Sequence, residues 1–154
     1  MNEGFDHLTV VVTDLDEARR FFGVLGFTER VAVVVSGETM ERYMGIADWE
    51  ADHVTLELEG APVHQEVQLL RFHRPAVVVD DGAGSLDRTG FNHVCFRVSD
   101  LDALLARCAE AGITQRNEVM EFHDRRLVFL DGPGVVVELA EWTTGQAGQR
   151  GHLT

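Results

Sequence analysis

The chain has 154 residues, 45% of them hydrophobic, and a formal net charge of −13. That length suits one compact domain or two small halves with a real core, and the acidic balance excludes a basic patch of the kind that meets nucleic-acid phosphates. No apolar run approaches the roughly 20 residues of a membrane span, the acidic start MNEGFDH has no basic-then-apolar leader pattern, and the expected compartment is the cytoplasm. The two cysteines, Cys95 and Cys108, form no CxxC motif and fit reduced thiols.

In chain order, His7–Val12 is β-branched and apolar, as a buried strand should be. Thr13-Asp14-Leu15-Asp16-Glu17 follows, a capping signature opened by Thr13 or Asp14. A helix then carries Leu15, Ala18, Phe21, Phe22 and Leu25 on one face and stops at Gly26. Strands are predicted at Glu29–Val35, His53–Glu59 and His64–Arg71, interrupted by a short amphipathic turn with Met40, Tyr43 and Met44. An acidic, Gly-containing linker leads to FNHVCFRVSDLD at residues 91–102, which repeats FDHLTVVVTDLD at 5–16 with an offset of 86. Duplicated sequence means duplicated supersecondary structure. The second copy supplies Ser99 and Asp102 as its cap, Leu101, Leu104, Leu105 and Cys108 as its apolar face, and Gly112 as its stop. Strands are predicted at Ile113–Val119, Arg126–Leu130 and Val135–Ala140.

The fold class is therefore α+β, with two βαβββ modules whose curled mixed sheets enclose a cavity. Residues 1–75 form the first module, 76–89 a linker, 90–142 the second module and 143–154 a flexible polar tail.

Side chains alternate across a strand. Leu8, Val10 and Val12 should face the first helix, which leaves His7, Thr9 and Val11 on the other side. In the second copy His93, Cys95 and Arg97 take that face. Glu138 points away from Val137 and Leu139, while Glu66 and Gln68 point away from Val67 and Leu69. Each half thus offers a histidine and an oxygen donor on its non-helix face. His7, Gln68, His93 and Glu138 form a candidate metal set, two imidazoles and two oxygens suited to a divalent first-row ion; Glu66 competes with Gln68. Cys95 reads as a small packing residue, and Arg97 as either a structural ion-pair partner or a contact for a substrate carboxylate. Arg125 and Arg126 could meet a phosphate-bearing tail. Trp49, Trp142, Tyr43 and Met44 read as core or as lining of an apolar pocket.

The H-x-x-x-x-V-x-D-L-D pattern after each first strand, LGF closing the first helix, and F-L-D-G-P-G-V-V-V-E-L near the end resemble the vicinal oxygen chelate superfamily, also called the glyoxalase/bleomycin resistance/dioxygenase fold. The likeness spans residues 5–142; the family usually writes the last turn as D-P-x-G, where this chain has Asp131-Gly132-Pro133-Gly134. The resemblance implies one divalent ion (Zn, Ni, Co, Mn, Mg or Fe) with a His and a Glu or Gln from each module, and a small-molecule substrate chelated through adjacent oxygens. It also implies a homodimer. The family's ligand usually precedes an apolar residue, which favours Gln68-Leu69 alongside Glu138-Leu139. A His-Gln-His-Glu set resembles the methylmalonyl-CoA epimerases and, more distantly, glyoxalase I.

That likeness implies a metal-dependent epimerase, isomerase or glyoxalase-like lyase that moves a proton α to a carbonyl through a metal-bound enediolate. Glu138 would act as ligand and base, and a second acid or base would come from His53 or Glu57 on the third strand. A neutral Gln68 leaves the site one net positive charge, which favours an oxyanion. Two other readings share the fold: an antibiotic-binding or resistance protein without chemistry, and a dioxygenase.

Overall fold

The computed structural model describes residue 1 and residues 3–143; beyond Thr143 the expected tail lies outside the described residues. The chain separates into two compact units, Met1–Asp81 and Gly82–Thr154.

In the first unit the order is β1 (His7–Val11), α1 (Leu15–Val24), β2 (Phe27–Ser36), α2 (Glu38–Met44), β3 (Glu50–Leu58) and β4 (Glu66–Arg74). The strands form one mixed sheet, β1-β4-β3-β2, with β1 parallel to β4 and the other pairs antiparallel. α1 starts where Asp14 accepts the amides of Asp16 and Glu17, which satisfies two otherwise orphan donors. Its apolar stripe, Ala18, Phe21 and Phe22, is buried, as are Val10, Val54, Leu56, Val67 and Leu69 of the sheet. Phe22 meets Phe21 and Phe27 edge to face. Gly26 stands at φ 98°, a conformation that favours glycine, and a Cβ there would lie 3.2 Å from Leu58 Cδ1, which would have to give slightly.

The predicted amphipathic turn is the two-turn helix α2. Met40 and Met44, with Val35, Ile46 and Phe72, pack on the buried cluster Trp49, Ala51 and Leu70. Trp49 is therefore core, whereas Tyr43 is exposed.

The second unit runs β5 (Val94–Val98), α3 (Leu101–Glu110), β6 (Met120–Glu121), β7 (Arg125–Gly132) and β8 (Val135–Trp142), in the sheet order β5-β8-β7-β6. The topology of the first sheet is thus repeated, again with a parallel pair between the first and last strands. Leu101, Leu104, Leu105 and Cys108 of α3 are buried, and so are Val128, Leu130, Val137 and Leu139.

Two expectations need correction. Helix α3 is capped by Asp100, which accepts Ala103 N, and not by Ser99; the helix begins at Leu101, so the residue before it takes the cap. The predicted strand Ile113–Val119 is not a strand. That segment follows β7 through Arg116 N to Phe129 O, Asp131 N to Thr114 O, and Phe129 N to the Asn117 side chain. Its polar run Thr-Gln-Arg-Asn-Glu lacks apolar alternation, and a side-chain amide replaces one backbone partner.

Among the described residues, no helix is long and apolar enough to cross a membrane.

Candidate functional site

Each sheet has a non-helix face, and the register decides what meets there. In the first unit Thr9 lies opposite Gln68 and His7 opposite Glu66. In the second, Cys95 lies opposite Glu138. Cys95 is the repeat equivalent of Thr9, so Gln68 is the register equivalent of Glu138. Glu66 falls one same-face position earlier.

The first half-site is a hydrogen-bonded chain. Gln68 Oε1 accepts from Thr9 Oγ1 at 3.4 Å and lies 3.1 Å from His53 Nε2. Because that oxygen can only accept, His53 carries its proton on Nε2. Gln68 Nε2 donates to Glu66 Oε1 at 2.7 Å. His7 holds Asp6 Oδ2 at 2.6 Å through Nδ1, which leaves Nε2 bare. Glu57, the other candidate acid or base, is bound by Arg30 at 2.8 Å and lies 3.5 Å from His64. His64 also lies 3.3 Å from Glu66.

The second half-site repeats the plan with different chemistry. His93 Nδ1 meets Asn92 Oδ1 at 2.7 Å, again turning Nε2 away from the preceding residue. That nitrogen stands 3.4 Å from Glu138 Oε2. The ring packs edge to face on Phe129, centroids 5.1 Å apart. Phe129 lies directly opposite Glu138 in the sheet, a register set by the two-residue hairpin Pro133-Gly134, where Gly134 adopts φ 71°. Cys95 is exposed as a residue, yet its sulfur is packed among neighbours. That burial, then the hydrogen bond and charge of Glu138, push the thiol up to about 12. It remains a protonated donor to Glu138 and not a nucleophile. Its part matches that of Thr9, a donor on the first strand aimed at the oxygen ligand candidate.

Asp6 and Asn92 are the residues that sequence reasoning missed. Each precedes its histidine, each engages Nδ1, and each does so by a short contact. The signal was present in the FDH and FNH of the two repeats. Metal-binding histidines are commonly oriented in this way through the other ring nitrogen. By donor type, an imidazole with a neutral amide in one unit and an imidazole with a carboxylate in the other are chemistry a divalent ion accepts. With bonds of about 2.0–2.2 Å, two donors on one ion stand about 3–3.5 Å apart, which the 3.4 Å between His93 Nε2 and Glu138 Oε2 matches. Among the described residues, however, no group of three or more His, Cys, Asp or Glu side chains is gathered as a metal cluster.

The family-model comparison matches residues 6–129 to the Glyoxalase/Bleomycin resistance protein/Dioxygenase superfamily. The chain belongs to this superfamily. The match ends short of Glu138, so that residue rests on the repeat and the register. Among solved structures, the chain is similar to a glyoxalase family protein from Bacillus cereus at 25% identity and TM-score 0.85, covering 94% of this chain and 97% of that one. It is also similar to a glyoxylase/bleomycin resistance protein/dioxygenase domain from Frankia sp. EAN1pec at 21% identity and TM-score 0.67, covering 95% and 96%. The fosfomycin resistance protein FosX from Listeria monocytogenes matches at 18% identity and TM-score 0.60, covering 93% and 96%; these last two likenesses show the fold. None of the curated proteins matches.

The remaining candidates divide clearly. Arg126 is held by Asp102 at 2.8 Å and Glu141 at 3.0 Å, and Glu141 also accepts the amide of Leu101. It braces the start of α3 and does not present a free cation. Trp142 is half-buried beside Arg97 and Arg125. A cavity of about 580 Å³ lies on the helix-side face of the first sheet, lined by residues including Asp14, Arg19, Val34, Asp52 and Arg71. It contains none of the four ligand candidates, and hydrogen-bonding chemistry favours the opposite face as the site.

Proposed function

We propose that this superfamily member is a metal-dependent isomerase, epimerase or lyase that moves a proton α to a carbonyl of a small-molecule substrate, through an enediolate. His7 and Gln68 of the first unit and His93 and Glu138 of the second are the ligands in this reading, drawn from one chain or from two copies of a homodimer. The observation that carries it is the repeated orientation of the two imidazoles. Both histidines have Nδ1 engaged by the preceding side chain, which turns Nε2 away from it, and His93 Nε2 stands beside the Glu138 carboxylate.

When bound, the divalent ion supplies a Lewis acid for the substrate's carbonyl oxygen. Glu138 is the base: it is half-buried, and Cys95 and His93 both face it and hold its orientation. His53 is the second acid or base, since its Nε2 lies 3.1 Å from Gln68 Oε1 and an imidazole can both give and take a proton. Glu57 serves less well, because Arg30 and His64 occupy its oxygens. Neutral Gln68 in the place of a second carboxylate leaves more positive charge for the developing oxyanion.

Elemental analysis tests the ligand set. The wild-type protein should carry a stoichiometric divalent ion, and His7→Ala and His93→Ala should lose it while remaining folded by circular dichroism. A wild type that loads no ion under any condition would remove the reading. Light scattering should give a dimer at micromolar concentration. Oxygen consumption coupled to turnover would replace proton transfer with dioxygenase chemistry.

A further inference from the structure

All thirteen basic residues of this acidic chain are arginines. Most of those described are held by a carboxylate; Arg20, Arg42, Arg97 and Arg107 show no such partner among the described residues. Arg20, Arg42 and Arg107 lie on helices. Arg97 lies instead on β5, on the face that carries Cys95 and Glu138. Its guanidinium carbon stands 5.9 Å from the centre of the Trp142 ring. Arg125 stands over the same ring at 4.2 Å and is clamped by Asp124 through Nε at 2.8 Å and Nη2 at 3.1 Å.

These contacts make a platform. Arg125 lies against the ring face of Trp142, and Arg97 stands at the outer limit of such a cation–π contact. Asp124 neutralises Arg125, so Arg97 contributes the charge with no carboxylate partner among the described residues. Its N–H fork matches a carboxylate through two parallel hydrogen bonds. Arg97 is opposite Ala140, one same-face step from the Cys95–Glu138 pair. A step of two residues along a strand is about 7 Å.

We infer that Arg97, beside Trp142, is the carboxylate-binding residue of the substrate site, and that the substrate carries a carboxylate distal to its chelating oxygens. This rests on the reading of Glu138 as part of the chelating site. The substrate class is then a small two-ended acid. One end offers adjacent oxygens, the other a single planar negative charge, and the indole of Trp142 borders the anionic end. One unneutralised guanidinium suits a monoanion better than a phosphonate dianion.

The test uses the metal-loaded full chain with two probes that share an oxo-acid end, 2-oxoglutarate and 2-oxopentanoate; only the first has a distal carboxylate. Calorimetry should give at least about tenfold tighter binding of 2-oxoglutarate, the scale of one charge-assisted pair. Arg97→Met should collapse that preference to less than threefold, and Arg97→Lys should keep part of it. Equal binding of the two acids by the wild type, binding of neither, or a preference that survives Arg97→Met would overturn the assignment. Tighter binding of 4-phosphono-2-oxobutyrate than of 2-oxoglutarate would overturn the carboxylate in favour of a dianion. Failure of the metal reading looks different: a protein that holds no ion would still bind 2-oxoglutarate in an Arg97-dependent way, with 2-oxopentanoate binding lost.

Discussion

The two units carry the same half-site with the carboxylate moved. In the first, the acid is outside, as Asp6 on His7, and the ligand candidate Gln68 is neutral. In the second, the outer residue Asn92 is neutral and the acid Glu138 is the ligand candidate. Thr9 and Cys95 occupy the same place and give their hydrogen to Gln68 and to Glu138 respectively. Duplication preserved the geometry while the charge changed position. One half has its carboxylate behind the imidazole, and the other has it in front; in the proposed reading the first holds and the second reacts.

The sharpest way to break this comparison is to remove the carboxylate proposed as the base while keeping its shape. Glu138→Gln should retain metal but lose on the order of 10²-fold or more in turnover, with solvent deuterium exchange into the substrate α-position falling in parallel. Undiminished exchange in that variant would shift the base to His53. Gln68→Glu should keep the ion and lower turnover by a smaller factor, because an added negative charge opposes the oxyanion.

Exchanging the outer residues comes next. Asp6→Ala should weaken metal affinity about 10- to 100-fold, measured by competition with a chelator. Asn92→Asp should move affinity the other way, since a carboxylate raises imidazole basicity. Equal, negligible effects of both would remove the second-shell account.

Helix capping offers a smaller contrast. Asp14 accepts two amides and Asp100 one. Asp14→Ala should cost about 1–2 kcal/mol and Asp100→Ala about 0.5–1 kcal/mol in denaturant unfolding.

The smallest effect concerns pH. On the helix-side face of the first sheet, His73 lies 2.9 Å from Asp52 and 3.0 Å from Glu50, with Arg71 and Arg74 on the same carboxylates. Hydrogen bonds that His73 donates to Asp52 and Glu50 raise it above its ordinary value, and His73 in turn holds both acids below theirs. A raised histidine stabilises the fold fully below its unfolded pKa of about 6.5 and loses that contribution as pH rises through the folded value. The lowered acids contribute above their unfolded values of about 4 and lose it on acidification. His73→Gln should therefore lower Tm most between about pH 4.5 and 6.5, and the difference should shrink toward pH 9. The histidine–carboxylate contact of the second unit, His93 with Glu138, is not the counterpart of this bridge, so the effect should follow the unfolding of the first.

The amino-acid sequence by itself determined the duplicated module, the helix stops at Gly26 and Gly112, and the face on which His7, His93 and Glu138 lie. These follow from local rules: period-two alternation, capping chemistry and a repeat visible at a fixed offset. The tertiary structure alone decided the partners. Register across the parallel pairs made Gln68 the counterpart of Glu138, and a side-chain amide turned Ile113–Val119 away from strand geometry. It also placed Arg97 beside Trp142, residues 45 positions apart. Such contacts depend on strand pairing between distant segments, and no local periodicity records which residue of one strand faces which of the next.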